Sequence, residues 1–315
     1  MSPTYEIHDV TDWPQIVTEQ MGTKPKFWCQ HPQGYQTLFK QSRTHAGEHW
    51  SEKIAAELAG LIWLPHAEIE LATYQGHHGT ISRDFTANRT EGSLIHGNEL
   101  MLELDPNYPS QGRNFRVAQH TIDRIFRVVE LPYIDRPSGL TPEPAIQTAL
   151  DVFVGYLLLD ALIANTDRHH ANWGILLKAN RQGQRQAELA PTFDHASSLG
   201  RELTDPKRQE KLRPLRRDQT LIGYLENDAG RSRIYAHEND PKPLRSLEVF
   251  ERARQLRQPA AEAWLNRLNA VPREEFVTVI DRVPPTTMTS PARAFALRLL
   301  ELNREALLTR SFRYA

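Results

Sequence analysis

The sequence predicts an α+β fold of two lobes, a small β-rich lobe over residues 1–97 and a larger α-helical lobe over residues 98–315. Three observations predict it. The 315 residues are enough chain for about two domains, or two lobes of one large fold. Short strand-like runs bounded by turn residues dominate up to about Asn98, and helical periodicity dominates after it. The stretch Ala145–Ala164 is apolar nearly all round, the pattern of a helix at the buried centre of a lobe.

In the first lobe, Phe27–Cys29 and Gly34–Lys40 read as strands joined by the turn His31-Pro32-Gln33. A polar loop leads into a helix carrying Trp50, Ile54 and Leu58 at i, i+4, i+8, with Ala55, Ala56 and Ala59 making one face thin enough for close packing. It ends near Gly60, and Pro65 stops any continuation. Strands follow at Ala67–Ala72 and Gly79–Phe85. In the second lobe, Val117–Glu130 places Ile122, Ile125, Phe126 and Val129 on one helical stripe. Pro132, Pro137, Pro142 and Pro144 punctuate the next loop, and Pro144 suits the first turn of the apolar helix. Helices at Leu244–Gln258, Ala260–Leu268, Arg273–Asp281 and Pro291–Thr309 close the chain.

Charge is balanced, 38 basic against 39 acidic residues, which excludes a disordered polyelectrolyte and gives no global basic excess for nucleic acid. The start, MSPTYEIHDV, has neither a basic nor an apolar leader segment. The longest apolar run, Val152–Leu159, is broken by Asp160, well short of the roughly 18 residues that span a bilayer. A single cysteine, Cys29, leaves no internal disulfide and no Cys-rich zinc framework. A soluble, cytoplasmic protein without membrane association is the expectation.

The chemistry concentrates in Ala164–Leu177, between the buried helix and a strand at Trp173–Leu177. Asp167 and Asn172 stand in a D-x-x-x-x-N relation. Phosphoryl transfer to a hydroxyl needs a carboxylate beside the nucleophile and oxygen ligands for a metal that bridges the phosphates, and such a loop offers both. A polar turn, Lys178–Gln186, and a return strand, Ala187–Phe193, bring Asp194 back near Asn172, completing an Mg-ATP site. Taken singly, Asp167 could cap a turn, Asn172 satisfy loop backbone and Asp194 begin an Asx-turn; the joint order of helix, loop and hairpin favours the site.

Asn165-Thr166-Asp167-Arg168-His169 through Asn172, with Leu189–Asp194 and Ser197 downstream, resembles the HipA-like serine/threonine kinases. The resemblance implies a two-lobed, protein-kinase-like fold, ATP and Mg2+ as cofactors, and a protein substrate with a Ser/Thr hydroxyl. It implies Asp167 as catalytic base, Asn172 and Asp194 as magnesium ligands, and His169 shaping the loop by hydrogen bonding. Ile81–Phe85 followed by Leu94–Leu100 is similar to the family's inter-lobe crossing, which brings Arg83 and Phe85 to the nucleotide, and Asp281–Arg304 is similar to its closing helices. Lys40 is the candidate to orient the phosphates, paired with a helix glutamate; of Glu48, Glu52 and Glu57, Glu52 fits best because it precedes the Ala-Glu-Leu-Ala stretch. Met21–Phe27 sits where a phosphate-covering loop is expected, with Gly22 for backbone approach and Lys24 or Lys26 for charge. The plainer roles are an edge-strand lysine for Lys40 and a solvated turn for the glycine-lysine loop.

Two departures stand out. His195-Ala196-Ser197 follows Asp194 where ordinary kinases have Phe-Gly, and the expectation is a chain without the extra N-terminal subdomain of long HipA toxins, similar to the short stand-alone or split members. The family also implies an antitoxin-like partner and autophosphorylation, for which Ser42, Thr44, Thr86 and Thr90 are loop candidates. Among the thirteen histidines, His77, His78 and His170 read as solvated. Asp167, His169, Asp194 and His195 are similar to a phosphoesterase metal cluster but lack its Gly-Asp and Gly-Asn-His elements. Between Arg201 and Arg217, seven basic residues against three acidic leave a local excess of four, either a docking segment for acidic or phosphorylated groups or a solvated helical face. Two other functions fit the motif: a lipid or small-molecule kinase, since phosphoinositide kinases share Asp-Arg-His-x-x-Asn, and a nucleotide-binding regulatory module without transfer.

Overall fold

The computed structural model describes residues 3–18, 25–86, 92–109, 116–179, 185–213, 217–227 and 230–310. Its first layer is a six-stranded sheet of β1 (Ile7–Asp9), β2 (Gln15–Thr18), β3 (Lys26–Gln30), β4 (Gln36–Gln41), β5 (Ile69–Tyr74) and β6 (His77–Arg83), in the order β1-β5-β6-β4-β3-β2. Alternation decides its faces: Phe27 and Cys29 of β3 and Phe39 of β4 turn inward with Ala72 and Ile81. Helix α1 (Glu48–Leu61) packs against β5 and β6 and buries Trp50, Ile54 and Leu58, the stripe its periodicity predicts.

The remaining elements are β7 (Gly92–His96), α2 (Gly97–Leu104), α3 (Ile122–Val129), β8 (Ile134–Asp135), α4 (Ala149–Ile163), β9 (Gly174–Ala179), β10 (Arg185–Leu189), α5 (Asp205–Lys211), α6 (Arg217–Glu226), α7 (Ser246–Leu256), α8 (Gln258–Ala270), α9 (Arg273–Asp281) and α10 (Ser290–Thr309). Every residue of α4 is buried, as its all-round apolarity requires, and α7, α8 and α10 surround it. The helix starts later than Pro144 suggests because Thr148 caps it: Thr148 Oγ1 accepts from Asp151 N–H, and the Asp151 carboxylate accepts from Thr148 N–H. Likewise α3 begins after Thr121, whose hydroxyl accepts from Arg124 N–H, rather than at Val117.

A second, four-stranded sheet runs β7-β9-β10-β8, with β9 and β10 the expected hairpin. The segment read as an inter-lobe crossing contains β7, which pairs antiparallel with β9 so that Ile95 faces Ile175, and the division between the two sheets falls between β6 and β7. The two layers are joined where Ala67 N–H donates to Thr192 O and Thr192 N–H donates to Pro65 O, and where Ser51 on α1 bonds Ser198. These bonds set α1 against the chain that leaves β10. Among the described residues, no helix is long and apolar enough to cross a membrane.

Candidate active site

Asp160 lies in the last turns of α4, buried among apolar side chains, and a buried carboxylate demands a partner. Arg168 supplies it with two parallel bonds, Nε to Oδ2 at 2.7 Å and Nη2 to Oδ1 at 2.8 Å. The same guanidinium donates to Asn172 O at 2.6 Å, to Thr192 Oγ1 at 3.0 Å and to His195 Nε2 at 3.0 Å. One buried cation thus ties the helix end, the loop after it and the chain leaving β10 into a rigid unit. The sequence reading took Asp160 only as a break in an apolar run; the signal for its role was a lone carboxylate inside an otherwise apolar helix.

The loop turns out of α4 at Ala164, whose φ is 51°. Asn172 Nδ2 donates to the Asp167 carbonyl at 2.8 Å, which leaves Asn172 Oδ1 as an acceptor. Burial, and next the neighbouring charge of Asp194, raise the Asp167 carboxyl above its ordinary range, while Arg233, with Nε 3.4 Å from Asp167 Oδ1, pulls the other way. His169 accepts from Ala171 N–H through Nδ1 at 3.1 Å, and burial pushes it down to about 4, so the ring is neutral with its proton on Nε2.

Asp194 adopts φ of 60°, a left-handed conformation that aspartate tolerates better than most residues. The next residue, His195, donates its backbone N–H to Glu52 Oε1 at 2.9 Å. Glu52, read as the partner of Lys40, is therefore the buried side chain by which α1 holds the segment after Asp194. Lys40 Nζ lies 3.3 Å from Asp194 Oδ2. Of the other two glutamates considered, Glu48 meets Arg43 at 3.0 Å and Arg201 at 2.8 Å, and Glu57 meets Lys53 at 2.8 Å. Lys26 stands directly opposite Lys40 in the β3–β4 register, and both side chains line one cleft. Like charges opposed across a strand pair are unfavourable unless something anionic sits between them.

That cleft, about 530 Å³, is bounded by Lys40, Arg83 and Phe85 from the first layer and by His169, Asn172 and Asp194 from the second. Its size is in the range of a small-molecule site. Trp28, Leu38 and Leu94 add apolar wall. The Arg83 guanidinium lies 4.5 Å over the Tyr35 ring and 3.4 Å from Glu68, and Phe85 sits 6.0 Å from Phe193. Gly22 and Lys24, with the rest of 19–24, lie outside the described residues, as does Thr90. Among the described residues, no three His, Cys, Asp or Glu side chains converge as a metal cage.

Two expectations are corrected. His170 is buried, bonded to Tyr108 Oη at 2.8 Å, because α2 and the following turn cover the loop. His78 is half-buried, its ring stacked 4.9 Å from His49. Within the basic segment three side chains are engaged in the fold, while Lys207 and Arg213 are exposed: Arg201 bonds Glu48 and Ser197, Arg208 bonds Asp205 and lies 5.7 Å over Trp50, and Lys211 lies 5.4 Å from the Tyr224 ring.

The buried histidines make stability depend on acid. Burial holds His49 at about 4 and His120 at about 3, against about 6.5 in an unfolded chain. Between those values the unfolded chain binds protons that the fold does not, so stability rises with pH there and falls as pH drops from about 6.5 toward 4. The urea midpoint is expected to be lower at pH 5 than at pH 7, with a recovery in His120→Gln relative to its own neutral-pH value; a midpoint flat across that window would contradict it.

No protein-family model matches the chain. Among curated proteins it is 26% identical over 151 residues to the serine/threonine-protein kinase CtkA of Helicobacter pylori, a match that spans 48% of this chain and 40% of that protein's length. Among solved structures, the proinflammatory kinase CtkA of Helicobacter pylori aligns with a TM-score of 0.72 at 17% identity, over 98% of this chain and 100% of that one. HipA of Shewanella oneidensis MR-1, solved with HipB and operator DNA, aligns with a TM-score of 0.55 at 13% identity, over 96% of this chain and 65% of that one. These likenesses show the fold: it is the α+β, HipA-like kinase fold that the sequence resemblance implies.

Proposed function

We propose, from the premise of a HipA-like kinase fold, that the chain is an ATP- and magnesium-dependent serine/threonine protein kinase. The observation that carries this is the convergence of Lys40, Asn172 and Asp194 on one cleft, with Asp167 in the same loop as Asn172. In this proposal residues 1–97 cover the nucleotide and residues 98–315 carry the acceptor side, with β7 at the seam. The adenine lies against Trp28, Leu38 and Leu94, and Lys26 and Lys40 hold the phosphates.

Lys40 exchanges Asp194 for phosphate oxygens when the nucleotide enters, which frees the Asp194 carboxylate. Asn172 Oδ1 and Asp194 then offer two oxygens of the kind magnesium takes alongside phosphate oxygens and water. A magnesium ion held there would neutralise charge between the β- and γ-phosphates. The acceptor oxygen attacks the γ-phosphorus, its proton passes to Asp167, and the bond from the γ-phosphorus to the β–γ bridging oxygen breaks to release ADP. An Asp167 carboxyl raised above its ordinary range is the stronger base for that proton.

By analogy with HipA, solved as part of a toxin–antitoxin system with HipB, the proposal extends to a toxin-like role and an antitoxin-like partner; a cytoplasmic location is proposed from the sequence. Of the loop hydroxyls considered for autophosphorylation, Thr44 is exposed, whereas Ser42 and Thr86 are half-buried and bonded to His49 and Asp84, so modification would fall first on Thr44. The test is transfer of labelled γ-phosphate with magnesium, comparing the protein with Asp194→Ala, alone and with a bacterial lysate. Label on protein that vanishes in Asp194→Ala is the expected result. Nucleotide binding without protein labelling would replace this proposal with a small-molecule kinase or a regulatory module.

A further inference from the structure

We propose that Glu52 and His195 are positioning residues for the transfer reaction: they fix the backbone that aims Asp194 at the cleft, so that α1 governs the magnesium-binding carboxylate. The inference rests on the kinase proposal above and concerns residues that act through Asp194. The direction of a metal-binding side chain is set by the groups that hold it from behind, and losing one of those groups weakens the metal site. Asp194 stands in the left-handed region with φ of 60°, and Leu199 and Gly200 do the same with φ of 57° and 67°. Left-handed backbone is unfavourable for a residue with a Cβ and persists where surrounding contacts over-determine it.

Residues 195–201 are held in this way from two sides. Glu48, Ser51 and Glu52 share one face of α1 at i, i+3 and i+4, and all three bond this segment. Glu52 Oε1 accepts from His195 N–H at 2.9 Å, Ser51 Oγ lies 2.8 Å from Ser198 Oγ, and Arg201 donates to Glu48 Oε1 at 2.8 Å. Gly47 N–H, just before the helix, donates to Arg201 O at 2.9 Å. From the other side, Thr166 N–H donates to Ser197 O and Leu199 N–H donates to Ile163 O, both at 3.0 Å.

His195 is the member of this segment next to Asp194, and two different layers grip it. Its backbone is bound to α1 through Glu52. Its ring is bound to the frame of the catalytic loop, with Arg168 Nη2 at 3.0 Å and Thr192 Oγ1 at 2.8 Å from Nε2. An arginine only donates, so Nε2 is the acceptor. The other ring nitrogen, Nδ1, lies 3.8 Å from Glu52 Oε1. Both residues are buried, where hydrogen bonds are electrostatically stronger than in water. The guanidinium that binds His195 also holds Asp160 and the Asn172 carbonyl, so the two proposed magnesium ligands are referenced to one frame. Glu52 adds α1 to that frame. Here its carboxylate serves as acceptor for a peptide N–H, a role that a neutral amide can fill and that a counter-ion role for Lys40 would not allow.

The experiment compares Glu52→Gln, Glu52→Ala, His195→Gln and His195→Leu with the wild type. It reads kcat and the KM for ATP, and by calorimetry the affinity for ADP without magnesium and across a magnesium titration. Glu52→Ala and His195→Leu should lower kcat about 10- to 100-fold and raise the magnesium midpoint for ADP binding about tenfold, with metal-free ADP affinity changed less than about threefold. Glutamine at position 52 keeps an acceptor for the His195 N–H, and glutamine at position 195 keeps one for Arg168 and Thr192. Each glutamine variant should therefore recover most of the loss at its position. The magnesium midpoint reports only on folded, binding molecules, so a purely structural loss would leave it in place. An unchanged kcat and magnesium midpoint in Glu52→Ala and His195→Leu overturn the proposal. So does a glutamine variant as impaired as its alanine or leucine counterpart; at position 52 that result would assign the charge of Glu52 to Lys40 and the phosphates. Should Glu52→Ala not fold, His195→Leu and the two glutamine variants decide by the same criteria. A wild type that labels no substrate and binds ADP without regard to magnesium fails at the kinase proposal, and this inference falls with it.

Discussion

Asp167→Asn should lower phosphoryl transfer by about 10³-fold or more while leaving nucleotide binding within a few-fold of wild type. Asparagine keeps the size of the side chain and its bond distance to Arg233, but it cannot take a proton. The loop should survive the change, because the contacts that shape it run elsewhere: Asn172 Nδ2 uses the Asp167 backbone carbonyl, and Asp167 N–H donates to Asn165 Oδ1. In the proposed kinase the nucleotide would be held on the other wall of the cleft, which Lys40 and its neighbours line. Removing the negative charge also relieves the repulsion from Asp194 that raises the Asp167 carboxyl, so ADP binding should if anything tighten. Label transfer and calorimetric ADP binding on the same preparation check both halves. Full transfer by Asp167→Asn would remove the assignment of the base; loss of ADP binding together with transfer would assign Asp167 to the nucleotide instead.

Asp160→Ala should cost about 3–5 kcal/mol of folding stability, the largest single-site effect expected outside the cleft. Both partners of the pair are almost wholly buried, Arg168 at 1% and Asp160 at 3% exposed. Truncation leaves the guanidinium without its counter-ion and deprives Asn165 Nδ2 of the acceptor it reaches at 2.8 Å. Urea denaturation measures the loss. The double change Asp160→Leu/Arg168→Met should recover much of it, since well-packed apolar groups replace a buried ion pair at little cost. It should not recover phosphoryl transfer, because Arg168 also holds the Asn172 carbonyl and Thr192, and with them the spacing of Asn172 from Asp194. A double variant that is stable and fully active would show that the pair serves stability alone.

Some features were legible in the chain because they are local. Periodicity located α1, α7, α8, α9 and α10, since the helix repeat and the apolar stripe lie within a few residues of each other. The β9–β10 hairpin was legible from two apolar runs around a polar turn. Short elements were not. Ile7–Asp9, Gln15–Thr18 and Ile134–Asp135 hold too few side chains to show an alternation, and each is a strand only because a neighbouring strand pairs with it. Helices α5 and α6 were hidden in a stretch dominated by charge, where arginines that looked like a docking surface are partly consumed by ion pairs and ring contacts.

The site divides in the same way. By itself the sequence places Asp167 and Asn172 in one loop and returns Asp194 to it, because a loop and a hairpin are short-range constructions. Only the tertiary structure decided that Lys40 meets Asp194, that Glu52 holds the His195 backbone, that Arg168 is spent on Asp160, and that Arg233 reaches Asp167. Glu52 and His195 are 143 residues apart and Arg233 and Asp167 are 66 apart, and a charged side chain of either sign has many candidate partners at such separations. Packing selects among them through the buried area and the hydrogen bonds each choice satisfies, and that selection is a property of the whole fold rather than of any segment.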